Sequence, residues 1–276
     1  MANDYIIEQV KTDDASLKSV QECLNASFPE ATKFTIEFLK WQYRDNPVGE
    51  IVGFNAISND GIIAAHYVTM PIYMMIAGRK TKGLLSMNTA THPNHRGKRL
   101  FTILAKKTYE YAANNGYEYV IGVANANSTH GFLKHLGFKL IAPLKVRFGF
   151  GSARVCKSFE YERFWDKKIL SWRLACPNAT YYRNRNALYS KRSLGRKDIM
   201  GIINDNTILP NEMKKTYRPI SLYVGLGAEL KGLMIKLPKF VKISPFNLIF
   251  KDLTNGVLPE LNKDNILFQL MDYDVV

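Results

Sequence analysis

Thr91-His92-Pro93-Asn94-His95-Arg96-Gly97-Lys98-Arg99-Leu100-Phe101 is a basic turn that runs directly into Leu100 to Asn114, a stretch with amphipathic helical spacing ended by Asn115-Gly116. No carboxylate occurs between Asp60 and Glu110, and none between Glu118 and Glu160. A glycine-containing basic loop set among such stretches reads as a pocket for a phosphorylated ligand rather than as a solvated run of charge. The whole chain agrees in sign: 38 Lys+Arg against 24 Asp+Glu give a net charge of +14, which calls for an anionic partner.

The composition narrows the class. Over 276 residues, 46% apolar and 22% charged side chains are enough to bury a core, so a disordered chain is excluded. Met1 to Val10 lacks the basic-then-apolar layout of a secretory signal, and the apolar run Val68 to Ala77 is broken by Pro71 and is too short to span a bilayer. No signal peptide and no membrane contact are therefore expected. Cys23, Cys156 and Cys176 are three in number and have no CxxC or Cys/His ligand spacing. Neither a disulfide framework nor a metal site is expected, and a reducing cytoplasm is the expected compartment.

Outward from the turn, Tyr5 to Val10 reads as a strand, and helices are expected at about 13 to 27, where Asp13 or Asp14 supplies a cap, and at 35 to 44, before Asn46-Pro47. Ile51 to Ser58 and Ile62 to Met70 flank Asn59-Asp60-Gly61, a hairpin turn. Gly83 to Thr91 follows as a strand, then the helix at 99 to 115, the strand Tyr117 to Ala124, a short helix at 128 to 136 stopped by Gly137, and strands at Phe138 to Ile141 and Lys145 to Gly149. Antiparallel hairpins leading into a strand–helix–strand crossover define an α/β fold.

This order, with the basic turn, then Ala124-Asn125-Ala126-Asn127, then Gly131-Phe132-Leu133-Lys134-His135-Leu136-Gly137-Phe138, resembles the GNAT superfamily of acyl-CoA-dependent N-acyltransferases over roughly residues 5 to 150. The resemblance implies a mixed sheet whose splayed central strands, ending near Thr91 and Ala124, receive the pantetheine arm. It also implies that the turn and helix start hold the pyrophosphate of acyl-CoA, the expected co-substrate. Cofactor-binding residues carried over on this basis are Thr91, His92, Arg96, Gly97, Lys98, Arg99, Leu100, Phe101, Asn125, Asn127 and Phe132. The chain departs from the family pattern at Arg99 and Phe101, where small residues are usual, and at Leu133, where many relatives have a Tyr acid. Catalytic candidates are then His66, mid-strand in the hairpin, His130, which opens the short helix, and Asn88 near the thioester; a base supplied by water or by the second unit is the alternative. Direct transfer without a covalent intermediate is expected, because no Cys stands beside a His in the motif region.

From Ser152 onward the chain echoes its beginning. Phe38 to Pro47 and Lys168 to Pro177 share a hydrophobic pair, a Trp near the end of an amphipathic helix and a following Pro, with strands next: Ile51 to Ser58 in the first, and in the second Tyr181 to Ser190, returning through Lys197 to Ile203 after a turn at Leu194-Gly195. A second, smaller GNAT-like α/β unit is expected, giving an acyl-CoA-binding domain at 1–150 and a degenerate domain at 151–276. With the closing Phe268 to Val275 strand, this layout resembles tandem acyltransferases acting on nucleotide-linked amino sugars. On that resemblance Arg183, Arg185, Arg192 and Tyr189, in an arm that mixes aromatics with cations, are the substrate-binding candidates. A monomer or homodimer without nucleic acid is expected. A FemABX-type aminoacyl transferase and a non-catalytic acyl-CoA or nucleic-acid binding module are the competing readings.

Overall fold

The structure is a computed structural model that describes residues 5–184, 187–190, 198–202, 208–210, 213–214, 220–237 and 244–273. Its first half runs β1 (Tyr5–Gln9), α1 (Asp14–Ser27), α2 (Ile36–Tyr43), β2 (Val52–Ser58), β3 (Ile63–Ile76), β4 (Arg79–Thr91), α3 (Leu100–Asn114), β5 (Tyr119–Ala124), α4 (Ala126–Leu136), β6 (Lys139–Pro143) and β7 (Lys145–Arg154). The second runs β8 (Tyr161–Arg163), α5 (Lys167–Leu174), β9 (Tyr181–Asn184), β10 (Ala187–Ser190), β11 (Asp198–Ile202), β12 (Ser221–Leu226), β13 (Glu229–Lys236), β14 (Asn247–Asp252) and β15 (Ile266–Gln269). Helix starts follow their caps: the side chains of Asp13, Thr35, Asn125 and Asp166 accept hydrogen bonds from the backbone N–H groups of the first turns of α1, α2, α4 and α5.

The first sheet has the order β1-β2-β3-β4-β5-β14-β6, antiparallel except for β4 beside β5. The second has the order β9-β10-β11-β12-β7-β13, antiparallel except for β11 beside β12. Each sheet thus contains one strand from the far side of the chain. β7 leaves the first sheet to lie between β12 and β13, and β14 returns to lie between β5 and β6. The expected domain boundary at residue 150 falls inside β7, and the first sheet is completed by residues 247–252. β8 and β15 link the two sheets, β8 pairing with β3 and β15 with β12.

Three local expectations are corrected. The strand expected at Ile62 to Met70 continues through Pro71 to Ile76. β2 ends at Val52 opposite Thr69 and β8 begins opposite Met74, so no ladder bond is required of the proline nitrogen. Tyr181 to Ser190 is not one strand but a hairpin in which Tyr181 faces Ser190 and Asn184 faces Ala187. The turn placed at Leu194-Gly195 lies outside the described residues. The closing strand stops at Gln269, where the Asp272 carboxylate accepts the Gln269 N–H at 2.7 Å and winds Leu270–Asp272 into a helical turn.

The two tryptophans of the sequence echo meet at the centre. Each indole N–H donates to the other's backbone carbonyl at 2.8 Å, and the rings stack with centroids 4.7 Å apart and an interplanar angle of 11°. Trp41→Ala is expected to cost about 3–5 kcal/mol, Trp41→Phe about 1–2 kcal/mol for the lost hydrogen bond and reduced stack, and Trp41→Phe and Trp172→Phe should combine non-additively; urea unfolding measures all of these. A fragment of residues 1–150 leaves β5 and β6 without β14 between them, so it should aggregate or remain unfolded on gel filtration unless co-expressed with residues 151–276.

Candidate active site

The cleft opens where β4 and β5 part. They pair in register at Leu84–Val120, Leu85–Ile121 and Ser86–Gly122 and no further. At the last pair the backbones are close: a Cβ on Gly122 would sit 3.1 Å from the Ser86 Cβ. Beyond it β4 bulges, since Met87 faces Val68 and Ala90 faces His66, which leaves Asn88 and Thr89 opposite Tyr67 alone; Asn88 has φ 41°. β5 meanwhile follows β14 along its full length. The result is a cleft of about 980 Å³.

Its near end is the basic turn. Gly97 takes φ 80° and Arg99 φ 60°, so the left-handed backbone that favours glycine is adopted at both positions. Arg99 precedes helix α3 without any side-chain cap, leaving the first-turn N–H groups of α3 and the positive end of its dipole for a ligand. Phe101 turns under the turn, against Tyr67 and Phe132 with centroids 5.8 and 5.2 Å away, and lines the cleft floor. The donor set and the room fit a coenzyme A pyrophosphate and pantetheine arm, which Arg96, the α3 first turn and the exposed edges of β4 and β5 would hold.

Six of the eleven proposed cofactor residues line the cleft: Thr91, Arg96, Phe101, Asn125, Asn127 and Phe132. The other five do not. Lys98 donates from Nζ to the Tyr5 hydroxyl at 2.7 Å, and that hydroxyl also bonds His95 Nδ1 at 2.9 Å, which ties the turn back to β1. His92 caps the short turn at Pro93–His95 through the Asn94 N–H, Leu100 is core, and Gly97 and Arg99 shape the backbone.

Among the catalytic candidates, Asn88 lines the cleft. His130 does not: α4 buries Phe132 and Leu136, and His130 lies exposed, edge-on to His135 with centroids 5.9 Å apart. His66 lies beneath the cleft and is wholly buried. Its Nδ1 is 2.7 Å from Asn55 Oδ1 and its Nε2 2.9 Å from the Tyr43 hydroxyl, and burial pushes its pKa down to about 3. The ring is therefore neutral at physiological pH. A second buried chain, Tyr109–Tyr67–Ser86, also ends at the cleft; its hydroxyls are 2.6 and 2.9 Å apart, and burial raises Tyr67 to about 12.

Of the substrate arm, Arg185 and Arg192 lie outside the described residues. Arg183 donates to the Pro210 carbonyl at 3.0 Å, and Tyr189 packs in a small core with Ala153, Ala187 and Tyr223. Neither lines the cleft. Its far wall comes instead from residues that the sequence reading did not single out: Phe28, Lys33 and Phe34 between α1 and α2, and Ser244, Phe246 and Tyr273 from the end of the chain. Three side-chain-to-backbone bonds fasten the wall, the Asn178–Lys33 bond joining the two halves. Gln21 Nε2 donates to the Phe34 carbonyl at 2.6 Å, Asn178 Nδ2 to the Lys33 carbonyl at 2.9 Å, and Arg173 to the Tyr273 carbonyl at 2.7 Å. Among the described residues, none of the lining residues is Asp, Glu or His, and no group of three His, Cys, Asp or Glu is placed to hold a metal ion. No helix of the described residues is long and apolar enough to cross a membrane.

A mixed sheet with a splayed parallel pair and an uncapped basic helix start at its mouth is a GNAT fold. Residues 10–141 match the family model described as acetyltransferase (GNAT) domain. A probable N-acyltransferase from Enterococcus faecalis V583, a conserved protein of unknown function, is 8% identical with a TM-score of 0.58, over 90% of this chain and 73% of that one. A GCN5-related N-acetyltransferase from Anabaena variabilis ATCC 29413 is 8% identical with a TM-score of 0.56, over 91% of this chain and 74% of that one. The Saccharomyces cerevisiae N-myristoyltransferase with bound myristoyl-CoA is 11% identical with a TM-score of 0.50, over 72% of this chain and 64% of that one. At these identities the likeness is one of fold. No curated protein matches the sequence.

Arg96→Ala should weaken acetyl-CoA binding about 10-fold or more, the scale of a charged hydrogen bond, while Lys98→Ala, already tied to Tyr5, should change it less than about 3-fold; calorimetric titration separates the two. His66 generates a stability prediction. Its native pKa, about 3, lies below the ordinary imidazole value of 6.5, so the unfolded chain binds the extra proton, and stability present above pH ~6.5 is lost as the pH falls toward 3. In His66→Gln the denaturation midpoint should depend less steeply on pH across that window.

Proposed function

We propose that the protein transfers an acyl group from acyl-CoA to the primary amine of a nucleotide-linked amino sugar by direct attack. The observation that carries this reading is the cleft itself: splayed strands for a pantetheine arm, two cations, Arg96 and Lys33, in its lining, and no carboxylate or imidazole among its described lining residues. Transfer requires a neutral amine. In a wall without a base, an amine that is already largely neutral has the advantage, and the electron-withdrawing oxygens of a sugar ring lower an amine below the ~10.4 of a lysine. A polycationic acceptor would find no partner there and would meet Lys33 and the +14 field of the chain. The anionic acceptor has Lys33 for its phosphates, and Phe28 and Phe34, with centroids 6.1 Å apart, for its base. This moves the acceptor contact from Arg183 and Tyr189 to the loop between α1 and α2.

The chemistry balances without a covalent intermediate. The amine nitrogen bonds the thioester carbonyl carbon, backbone N–H groups of the bulged β4 steady the oxyanion, and the carbon–sulfur bond breaks with its electron pair on sulfur. The nitrogen's proton passes through water to the thiolate. Cys23 and Cys176 are buried, and burial raises the Cys23 thiol to about 11; Cys156 is exposed and bonded to Glu229 at 2.8 Å. None of the three lines the cleft.

A screen of amines with acetyl-CoA and free-thiol detection tests the reading. A uridine diphosphate-linked amino sugar should release thiol in step with acylated product, and spermidine should release little. Preference for the polyamine, or an acylated cysteine trapped during turnover, would remove it.

A further inference from the structure

The polar chain beneath the cleft has a direction, and the direction ends on Asn88. A neutral imidazole has one N–H, and the Asn55 side-chain oxygen 2.7 Å from Nδ1 requires the proton there. Nε2 is then an acceptor, so the Tyr43 hydroxyl 2.9 Å away gives its proton to His66. With that proton committed, the Tyr43 oxygen accepts from its other neighbour, Asn88 Nδ2, at 3.1 Å. The second N–H of the same amide goes to Gln42 Oε1 at 2.7 Å. Both donors of Asn88 are thereby turned into the protein, and its side-chain oxygen is what remains to face a ligand in the cleft it lines.

We propose that Asn88 offers this oxygen to an N–H of the attacking amine, and that Tyr43 is the positioning residue that fixes the orientation, relaying the polarity set by His66 and Asn55. The proposal rests on the N-acyltransferase reading above. It gives the buried histidine a part other than general base: a neutral spacer whose tautomer decides which way the Asn88 amide points. An Asn88 oxygen that accepts one N–H leaves the nitrogen's lone pair to form the bond to the thioester carbon. An amide is not a base, so the proton released as the carbon–sulfur bond breaks goes to water and then to the thiolate sulfur. The left-handed backbone of Asn88 in the β4 bulge aims the side chain at α2, where Gln42 and Tyr43 are neighbours in sequence.

Two measurements on the full-length protein test this. Nitrogen-15 NMR of the resting protein between pH 6 and 8 should find His66 as the neutral Nδ1–H tautomer, and an Nε2–H tautomer or an imidazolium overturns the proposal whether or not an acceptor is in hand. With acetyl-CoA and the uridine diphosphate-linked amino sugar, Tyr43→Phe should lower kcat about 10-fold or more and leave the acetyl-CoA KM within about twofold. In an Asn88→Ala background the same change should cost nothing further, because Tyr43 acts through Asn88; additive losses overturn the assignment. Should Tyr43→Phe fail to fold, His66→Gln, whose amide can donate to Asn55 and accept from Tyr43, should keep kcat within about threefold, and His66→Leu should lose it. Binding of acetyl-CoA without turnover of any amine by the wild-type protein is a failure of the N-acyltransferase reading instead, and the tautomer measurement still decides the orientation of Asn88.

Discussion

Neither sheet can be completed by its own half of the chain. The gap between β5 and β6 is filled by β14, and the gap between β12 and β13 by β7, so each half holds a strand the other needs. Unfilled, these gaps would leave buried backbone N–H and C=O groups without partners along both edges. The exchange requires the halves to lie side by side, and the reciprocal Trp41–Trp172 contact is where α2 and α5 meet under that constraint. Two indole donors and two carbonyls satisfy one another across a stacked pair, so the junction is polar-complete as well as apolar. Its neighbours carry the constraint outward: Arg173, one residue on, holds the Tyr273 carbonyl, and Asn178 holds that of Lys33.

The cleft is a consequence of the same exchange. β5 has two partners that demand different courses: β14 keeps it straight over six residues, while β4, paired with β3 and carrying the bulge at Asn88–Thr89, turns away after Ser86. A parallel pair held on its outer sides and released at one end opens, and the unpaired edge groups of β4 and β5 face the opening. β14 thereby helps to hold the site open, and the segment leading into it adds Ser244 and Phe246 to the wall, with the Phe246 carbonyl accepting the Leu144 N–H at 2.8 Å. The strand exchange and the binding site are therefore one structural feature seen from two sides.

This explains which parts were legible in the sequence. Helices with strong periodicity and a cap, such as Asp14–Ser27 and Leu100–Asn114, fall within a residue or two of their expected bounds. The near end of the cleft was legible because its residues are contiguous: Thr91, Arg96 and Phe101 lie in one turn, Asn125 and Asn127 at one helix start. The far wall was not, because Lys33, Phe246 and Tyr273 come together only through strand exchange, which leaves no local pattern. By the same limit, the place of His130 beside the motif says nothing of which face of α4 is buried, and the described members of the substrate arm, Arg183 and Tyr189, lie off the cleft with partners of their own. The likeness of Phe38–Pro47 to Lys168–Pro177 was readable, but the contact between their two tryptophans was not.

The electrostatics of the cleft follow from the carboxylate-free stretches. β3, β4 and the start of α3 lie between Asp60 and Glu110, and β5, α4 and β6 between Glu118 and Glu160, so the elements that build the opening contribute no acidic side chain to it. Such a site attracts phosphates at long range, and its described polar lining consists of cations, amides and hydroxyls, with the His66 imidazole buried away from it. Two buried chains, one ending at Asn88 and one at Ser86, supply fixed dipoles where a catalytic base would otherwise stand. Fixed dipoles need no reorganisation as charge develops, so they can lower a barrier by orientation and electrostatic preorganisation where no carboxylate or imidazole is among the described lining residues.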